Sequence, residues 1–154
     1  MIGNDIVDLV QADKDSNWQR KGFLDKLFTA EEQFLISSDI QAPLMVWLLW
    51  SMKEAAYKIN SRQSKLRLFA PIKLVCNNLI VLNDKATGQV SYENQVYFTA
   101  TEIHGQDYVH TLASDQKPEL EAARISIMNF QTGYRTTNPE SVSHHGRYLA
   151  LAYL

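Results

Sequence analysis

Hydrophobic and polar positions change period along this chain, from two, to helical, and back to two. From Ile2 to Leu9 apolar and polar residues alternate around Ile6 and Val7 with β-branched weight, which predicts a short N-terminal strand. Such a strand sends Gly3, Asp5 and Val7 to one face and Asn4, Ile6 and Asp8 to the other. Asp5 then stands beside a glycine that leaves open space. The next stretch is polar, with Lys14, Arg20, Lys21 and Lys26 set around Trp18, Phe23, Leu24, Leu27 and Phe28, a spacing that predicts a short amphipathic helix with a basic outer side. Thr29-Ala30-Glu31-Glu32 reads as a helix N-cap with an acidic first turn, so a second short helix starts there.

Pro43 suits the first turn of a long helix, and neither proline nor glycine interrupts the chain until well past Asn60. Leu44, Leu48, Met52, Ala55 and Ile59 supply its buried stripe, with Trp47, Trp50, Ser51, Glu54 and Lys58 on the adjacent one. After Ser61 the period returns to two. Pro71 to Cys76, Leu79 to Leu82, Gln89 to Tyr92, Val96 to Ile103 and Tyr108 to Ala113 read as successive antiparallel strands. Turn signals separate them at Asn77-Asn78, Asn83-Asp84, Thr87-Gly88, Glu93-Asn94 and His104-Gly105. Lys117-Pro118-Glu119 breaks the meander, and Ala123 to Phe130 resumes as strand. Asn138 to Leu154 fits either a helix capped at Asn138 or two strands turning at His145-Gly146. The expected class is α+β: an N-terminal strand, two short helices and one long helix packed on a mainly antiparallel sheet.

Composition narrows the partners. The 154 residues are 45% hydrophobic, which suits a single domain over residues 1–154. A net charge of -2 supplies no global attraction for nucleic acid or an anionic membrane. The one cysteine, Cys76, lies in an apolar run and reads as a buried inert thiol. The chain opens Met-Ile-Gly-Asn-Asp without a secretory signal, and the apolar run Leu44 to Trp50 is too short to span a bilayer, so a cytoplasmic protein is expected.

Glu54 and Lys58 sit four residues apart and share a helix face. Alone, such a pair is more often a solvated ion pair contributing roughly 0.2–0.5 kcal/mol than a catalytic device. Asp5 alone is likewise read as a strand-end carboxylate capping a turn. His144 and His145 lack the companion Cys or spaced His of a zinc site, and Ser143-His144 lacks the nucleophile elbow of a hydrolase.

Taken together and in order, Gly3-Asn4-Asp5-Ile6-Val7-Asp8-Leu9, Trp50-Ser51-Met52-Lys53-Glu54-Ala55-Ala56-Tyr57-Lys58 and Ser141-Val142-Ser143-His144-His145-Gly146-Arg147-Tyr148 resemble the 4′-phosphopantetheinyl transferase superfamily. They match its Gly-x-Asp element, its Trp-x-x-Lys-Glu-Ala-x-x-Lys helix and its Ser-x-Ser-His element. The order, with the Asp element first and the Ser-His element last, and Val7 where the doubled enzymes tend to carry a third acidic ligand, resembles the small holo-acyl-carrier-protein synthase type.

That resemblance implies transfer of phosphopantetheine from coenzyme A to a serine of an apo carrier protein, with release of adenosine 3′,5′-bisphosphate. It places a magnesium ion on Asp5 and Glu54, Lys58 beside it as the positive charge, and coenzyme A phosphates on Ser143, His144 and Arg147. The acceptor of the serine proton would be a metal-site carboxylate or a water, with Glu54 the candidate. Lys14, Arg20, Lys21 and Lys26 would meet an acidic acyl carrier protein. Carriers of fatty-acid, polyketide and peptide-synthetase pathways all fit. A homo-oligomer is a further expectation, since small synthases form trimers with sites between subunits. The competing readings are a catalytically silent relative that binds carriers or coenzyme A, and another magnesium-dependent pyrophosphate enzyme.

Overall fold

A computed structural model describes residues 1–154. Five helices and eight strands follow the expected α+β order. Strand β1 (Ile2–Asp8) leads into α1 (Leu9–Asp15), α2 (Phe23–Leu27), α3 (Ala30–Ser38) and the long α4 (Ala42–Ser64). The meander follows as β2 (Val75–Leu82), β3 (Lys85–Tyr92), β4 (Gln95–His104) and β5 (Tyr108–Ser114). The chain ends with α5 (Lys117–Ala122), β6 (Arg124–Asn129), β7 (Ser141–His145) and β8 (Tyr148–Tyr153). The strands form two antiparallel sheets, ordered β1-β5-β4-β3-β2 and β6-β8-β7, where one sheet was expected. No helix is long and apolar enough to cross a membrane.

Several local expectations change for physical reasons. The basic segment is two short helices with a turn between them, because Asp8 caps α1 by accepting from the Val10 and Gln11 N–H groups, and Gly22 enters α2 in the left-handed region at φ 83°. Asn77-Asn78 is no turn: β2 runs through it with a register shift that Asn78 absorbs at φ 52°, a conformation asparagine tolerates. Thr87-Gly88 also lies inside a strand. Gly88 is there for space, since a Cβ would stand 2.8 Å from Met52 Cε on α4. Lys117-Pro118 starts α5, with proline in its first turn. The C-terminal segment takes the two-strand alternative, turning at Gly146.

Helix α4 crosses the sheet face that carries Gly3, Asp5 and Val7. It is buried far beyond one stripe: Leu48, Met52, Ala55 and Ile59 are covered as expected, and so are the consecutive Met45 to Leu49. The contact with β1 is very close, for a Cβ on Gly3 would lie only 2.2 Å from the Ala55 carbonyl oxygen. The second sheet covers the opposite face at the β1–β5 end, where Ile2, Leu112 and Ala152 pack with Leu120, Ala123 and Ile125.

Lys53, one residue before Glu54, is wholly buried. Its Nζ donates to Glu32 Oε2 (2.7 Å), Leu27 O (2.7 Å) and Pro71 O (2.9 Å), and lies 5.1 Å from the centre of the Phe28 ring. Glu32 completes a capping box with Thr29 and accepts the Cys76 N–H at 2.7 Å. One ammonium thus ties α2, α3 and the entry to β2 onto α4. Cys76 is buried as expected, and burial pushes its thiol pKa well up.

Two substitutions test these contacts by urea denaturation. Gly3→Ala must separate β1 from α4 and is expected to cost about 1–3 kcal/mol, the range for overpacking a tight core. Lys53→Met leaves Glu32 charged and unpaired in the interior and is expected to cost about 3–5 kcal/mol.

Candidate active site

Strand β1 is the end strand of its sheet, so one row of its backbone groups has no ladder partner. Side chains supply the partners. The N–H groups of Asn4, Ile6 and Asp8 donate to Ser141 Oγ (2.9 Å), Ser143 Oγ (3.1 Å) and His145 Nδ1 (2.9 Å), three alternate residues of β7. On the same edge the Ile2 carbonyl accepts from Arg62 Nη2 and the Asn4 carbonyl from Lys58 Nζ at 2.6 Å. Arg62 and Lys58, one helical turn apart on α4, also donate to Glu140 O (2.8 Å), just before β7, and to Val142 O (3.4 Å) within it. Two chain ends 137 positions apart are joined almost wholly by side chains.

A cavity of about 460 Å³ opens beside this seam. Asp5 from β1, Glu54, Trp47 and Trp50 from α4, and His144 and His145 from β7 line it. Three of the expected site residues, Asp5, Glu54 and His144, therefore reach one space. The indoles form part of its wall, and Trp50 is braced edge-on by Phe69 with ring centres 5.5 Å apart.

The charges are distributed unevenly. Lys58 does not pair with Glu54, although the two share a helix face. Its ammonium turns to the strand carbonyls and lies 3.4 Å from Asp5 Oδ1. The strand-edge oxygens lack other donors, which is why they hold it. Asp5 Oδ1 also accepts the Ser143 hydroxyl at 2.9 Å, and the Asp5 carbonyl accepts from Ser51 Oγ at 3.3 Å. Glu54 receives no such help. Burial lifts its carboxyl pKa to about 7, the Asp5 charge adds to the rise, and Lys58 opposes it.

Arg147 lies at the β7–β8 turn and is committed to Asp8. Its backbone N–H and Nε each donate to Asp8 Oδ2 at 2.9 Å, and Nη2 to Oδ1 at 3.0 Å. Burial would raise the Asp8 pKa, but the hydrogen bonds from Arg147 and from the Gln11 N–H overcome it and hold the carboxyl well below the usual carboxylate range. Gly146 makes this possible, because its φ is 52° and a Cβ would come 2.5 Å from Asp8 Oδ2. His144 is exposed and packs on Phe130 with ring centres 5.2 Å apart, so its nitrogens remain available. His145 Nδ1 accepts the Asp8 N–H, which leaves the proton of the neutral ring on Nε2.

Asn4, His110, Ser141, His145 and Lys53 carry much of this arrangement without having been singled out for it. Asn4 Nδ2 donates to Ala150 O (3.2 Å) and lies 3.3 Å from His110 Nε2, while its Oδ1 accepts from Ser141 Oγ at 2.8 Å. Burial lowers the His110 pKa to about 4, helped by the Lys58 and His104 charges, so the ring is neutral. The period-two spacing of Ser141, Ser143 and His145 was the available signal, since a strand puts all three on one face.

The Asp5 charge adds to the cost of ionising Glu54 across one cavity, and Asp5 Oδ2 accepts no hydrogen bond from the protein. No three His, Cys, Asp or Glu residues cluster as a ligand set. Two carboxylates and open space suit a hard cation such as magnesium, which takes one or two carboxylates and completes its shell with water and phosphate oxygens.

A family model of the 4′-phosphopantetheinyl transferase superfamily matches residues 1–113. The chain belongs to that superfamily. Phosphopantetheinyl transfer, with coenzyme A as the substrate that supplies the group, is the chemistry of this family. The matched residues include Asp5, Glu54 and Lys58, and they end before β6, β7 and β8. Among solved structures, the chain is similar to a holo-acyl-carrier-protein synthase of Thermotoga maritima at 12% identity and a TM-score of 0.51, over 99% of this chain and 83% of that one. No curated protein matches in sequence. At that identity the structural likeness establishes the α+β fold of the superfamily.

The raised Glu54 pKa makes stability depend on pH. Between its ordinary value of 4.5 and about 7 the native state keeps a proton that the unfolded chain has released, so stability falls as pH rises through that window and levels off above it. The loss is on the order of 3 kcal/mol in the absence of divalent cation, and Glu54→Gln removes it. Urea denaturation at a series of pH values in chelator reads both.

Proposed function

We propose that this chain is a magnesium-dependent phosphopantetheinyl transferase of the holo-acyl-carrier-protein synthase type, acting as one domain on coenzyme A and an acidic apo carrier protein in the cytoplasm. The observation that carries the reading is the convergence of Asp5 and Glu54 on one cavity, with the Lys58 ammonium held at Asp5 and His144 at the cavity wall.

The reaction joins the carrier serine oxygen to the phosphorus that bears pantetheine. The bond from that phosphorus to the adenosine 3′,5′-bisphosphate oxygen breaks, and the serine hydroxyl loses its proton. Such a transfer gains chiefly from positioning and from neutralising charge on phosphoryl oxygens. Magnesium, when bound, supplies that neutralisation to the pyrophosphate. Asp5 and Glu54 are its proposed ligands. Glu54 is also the proposed acceptor of the serine proton, from its place on the cavity wall. Lys58 adds a fixed positive charge next to Asp5.

His144 has its ring free on the cavity and is the proposed contact for a coenzyme A phosphate, with Arg147, exposed although paired with Asp8, as a second. Lys14, Arg20, Lys21 and Lys26 are all exposed, on the same α1–α2 segment that lends Ala12, Ser16, Phe23 and Leu27 to the cavity wall. An acidic carrier docked on that basic rim would bring its serine towards the cavity, with complementary charge chiefly speeding the encounter.

Incubation with coenzyme A, magnesium and a panel of apo carriers, followed by mass spectrometry, tests this. A carrier should gain one phosphopantetheine, and Asp5→Asn or Glu54→Gln should slow the gain by roughly 100-fold or more while the protein stays folded. No gain on any carrier would refute the transferase reading, and binding of coenzyme A without turnover would favour a silent binding relative.

A further inference from the structure

We propose that Ser143 is a positioning residue for Asp5: it orients that carboxylate for cation binding instead of contacting coenzyme A. The inference rests on the reading of Asp5 as a metal ligand and deepens it.

A serine hydroxyl has one proton to donate and lone pairs to accept with. Ser143, only 6% exposed, accepts the Ile6 N–H at 3.1 Å. Ile6 N–H lies on the unladdered edge of β1 and has the Ser143 oxygen as its partner, so that contact uses a lone pair. The single proton is then directed to Asp5 Oδ1 at 2.9 Å. Lys58 Nζ reaches the same oxygen at 3.4 Å. Two donors on Oδ1 set the rotation of the carboxylate, and Oδ2 is left as the atom without a protein donor.

A phosphate contact by Ser143 would have to take the proton away from Asp5. That exchange would free the carboxylate to rotate just as the cation needs it. Outer partners of this kind determine how well a ligand is presented to a metal.

The fold contains its own control. Ser141 repeats the arrangement two residues earlier on β7: it accepts the Asn4 N–H at 2.9 Å and donates to Asn4 Oδ1 at 2.8 Å. The strand-to-strand clasp is the same, but the proton goes to a fully buried amide on the other face of β1, away from the cavity. A role confined to clasping β7 to β1 would make the two serines equivalent. A role through Asp5 separates them.

The experiment measures Mn2+ binding to the full chain without coenzyme A, by electron paramagnetic resonance, together with the KM for coenzyme A at saturating magnesium. Ser143→Ala should weaken Mn2+ binding roughly 10-fold or more and leave that KM within about twofold. Ser141→Ala should leave Mn2+ affinity within about twofold even where it lowers the urea midpoint. Ser143→Cys, which keeps the shape but offers only a weak S–H donor, should fall between wild type and alanine, and it serves in place of alanine if the latter does not fold.

Unchanged Mn2+ affinity in Ser143→Ala with a raised KM for coenzyme A would overturn the proposal and leave the metal site standing. Equal losses in Ser141→Ala and Ser143→Ala would reduce Ser143 to a structural clasp. Wild-type protein that binds no Mn2+, or binds it equally well as Asp5→Asn, would overturn the metal-site reading and this inference with it.

Discussion

The free edge of β1 governs the architecture around the cavity. An end strand buried beneath a helix and a second sheet must find partners for backbone groups that no neighbouring strand pairs, since an unpaired buried N–H or C=O costs about 1–3 kcal/mol. Here the partners are side chains: Ser141, Ser143 and His145 accept from it, and Lys58 and Arg62 donate to it. Every one of those residues is thereby brought within reach of Asp5 or its neighbours. The solution to a strand-edge problem and the construction of a charged site are the same set of contacts.

Close approach is the second requirement. The backbone of β1 touches the backbone of α4 at Gly3 and Ala55, and this contact carries Asp5 towards the helix face that bears Glu54. A larger residue at Gly3 would move the two carboxylates apart. The glycine of the Gly-x-Asp element is a spacing device for the acid beside it.

The lysines of α4 show how environment separates identical side chains. Lys53 is buried and satisfied by Glu32 and two carbonyls, so its charge holds helices together and does nothing in the cavity. Lys58, five residues on, lies at the seam between β1 and β7 and leaves Glu54 without a direct partner. An unpaired acid beside a half-neutralised one disfavours its own ionisation, and a cation is the group that would relieve both.

Much of this was readable from residue order. Period and capping placed β1, α4, the meander and the face carrying Asp5, because those patterns depend on neighbours within a turn or two. The same local rules misread Asn77-Asn78 and Thr87-Gly88 as turns, since their tolerance of bends was used for a register shift and for the space Met52 needs. They also left Asn138 to Leu154 undecided between helix and strand, which pairing with β6 and the clasp on β1 resolves. Nor does any spacing along the chain say that Lys58 abandons Glu54 for strand carbonyls, that Asp8 takes Arg147, or that Ser143 gives its proton to Asp5. Those outcomes depend on which buried groups still lack a partner once segments more than a hundred residues apart have met. That accounting exists only in three dimensions.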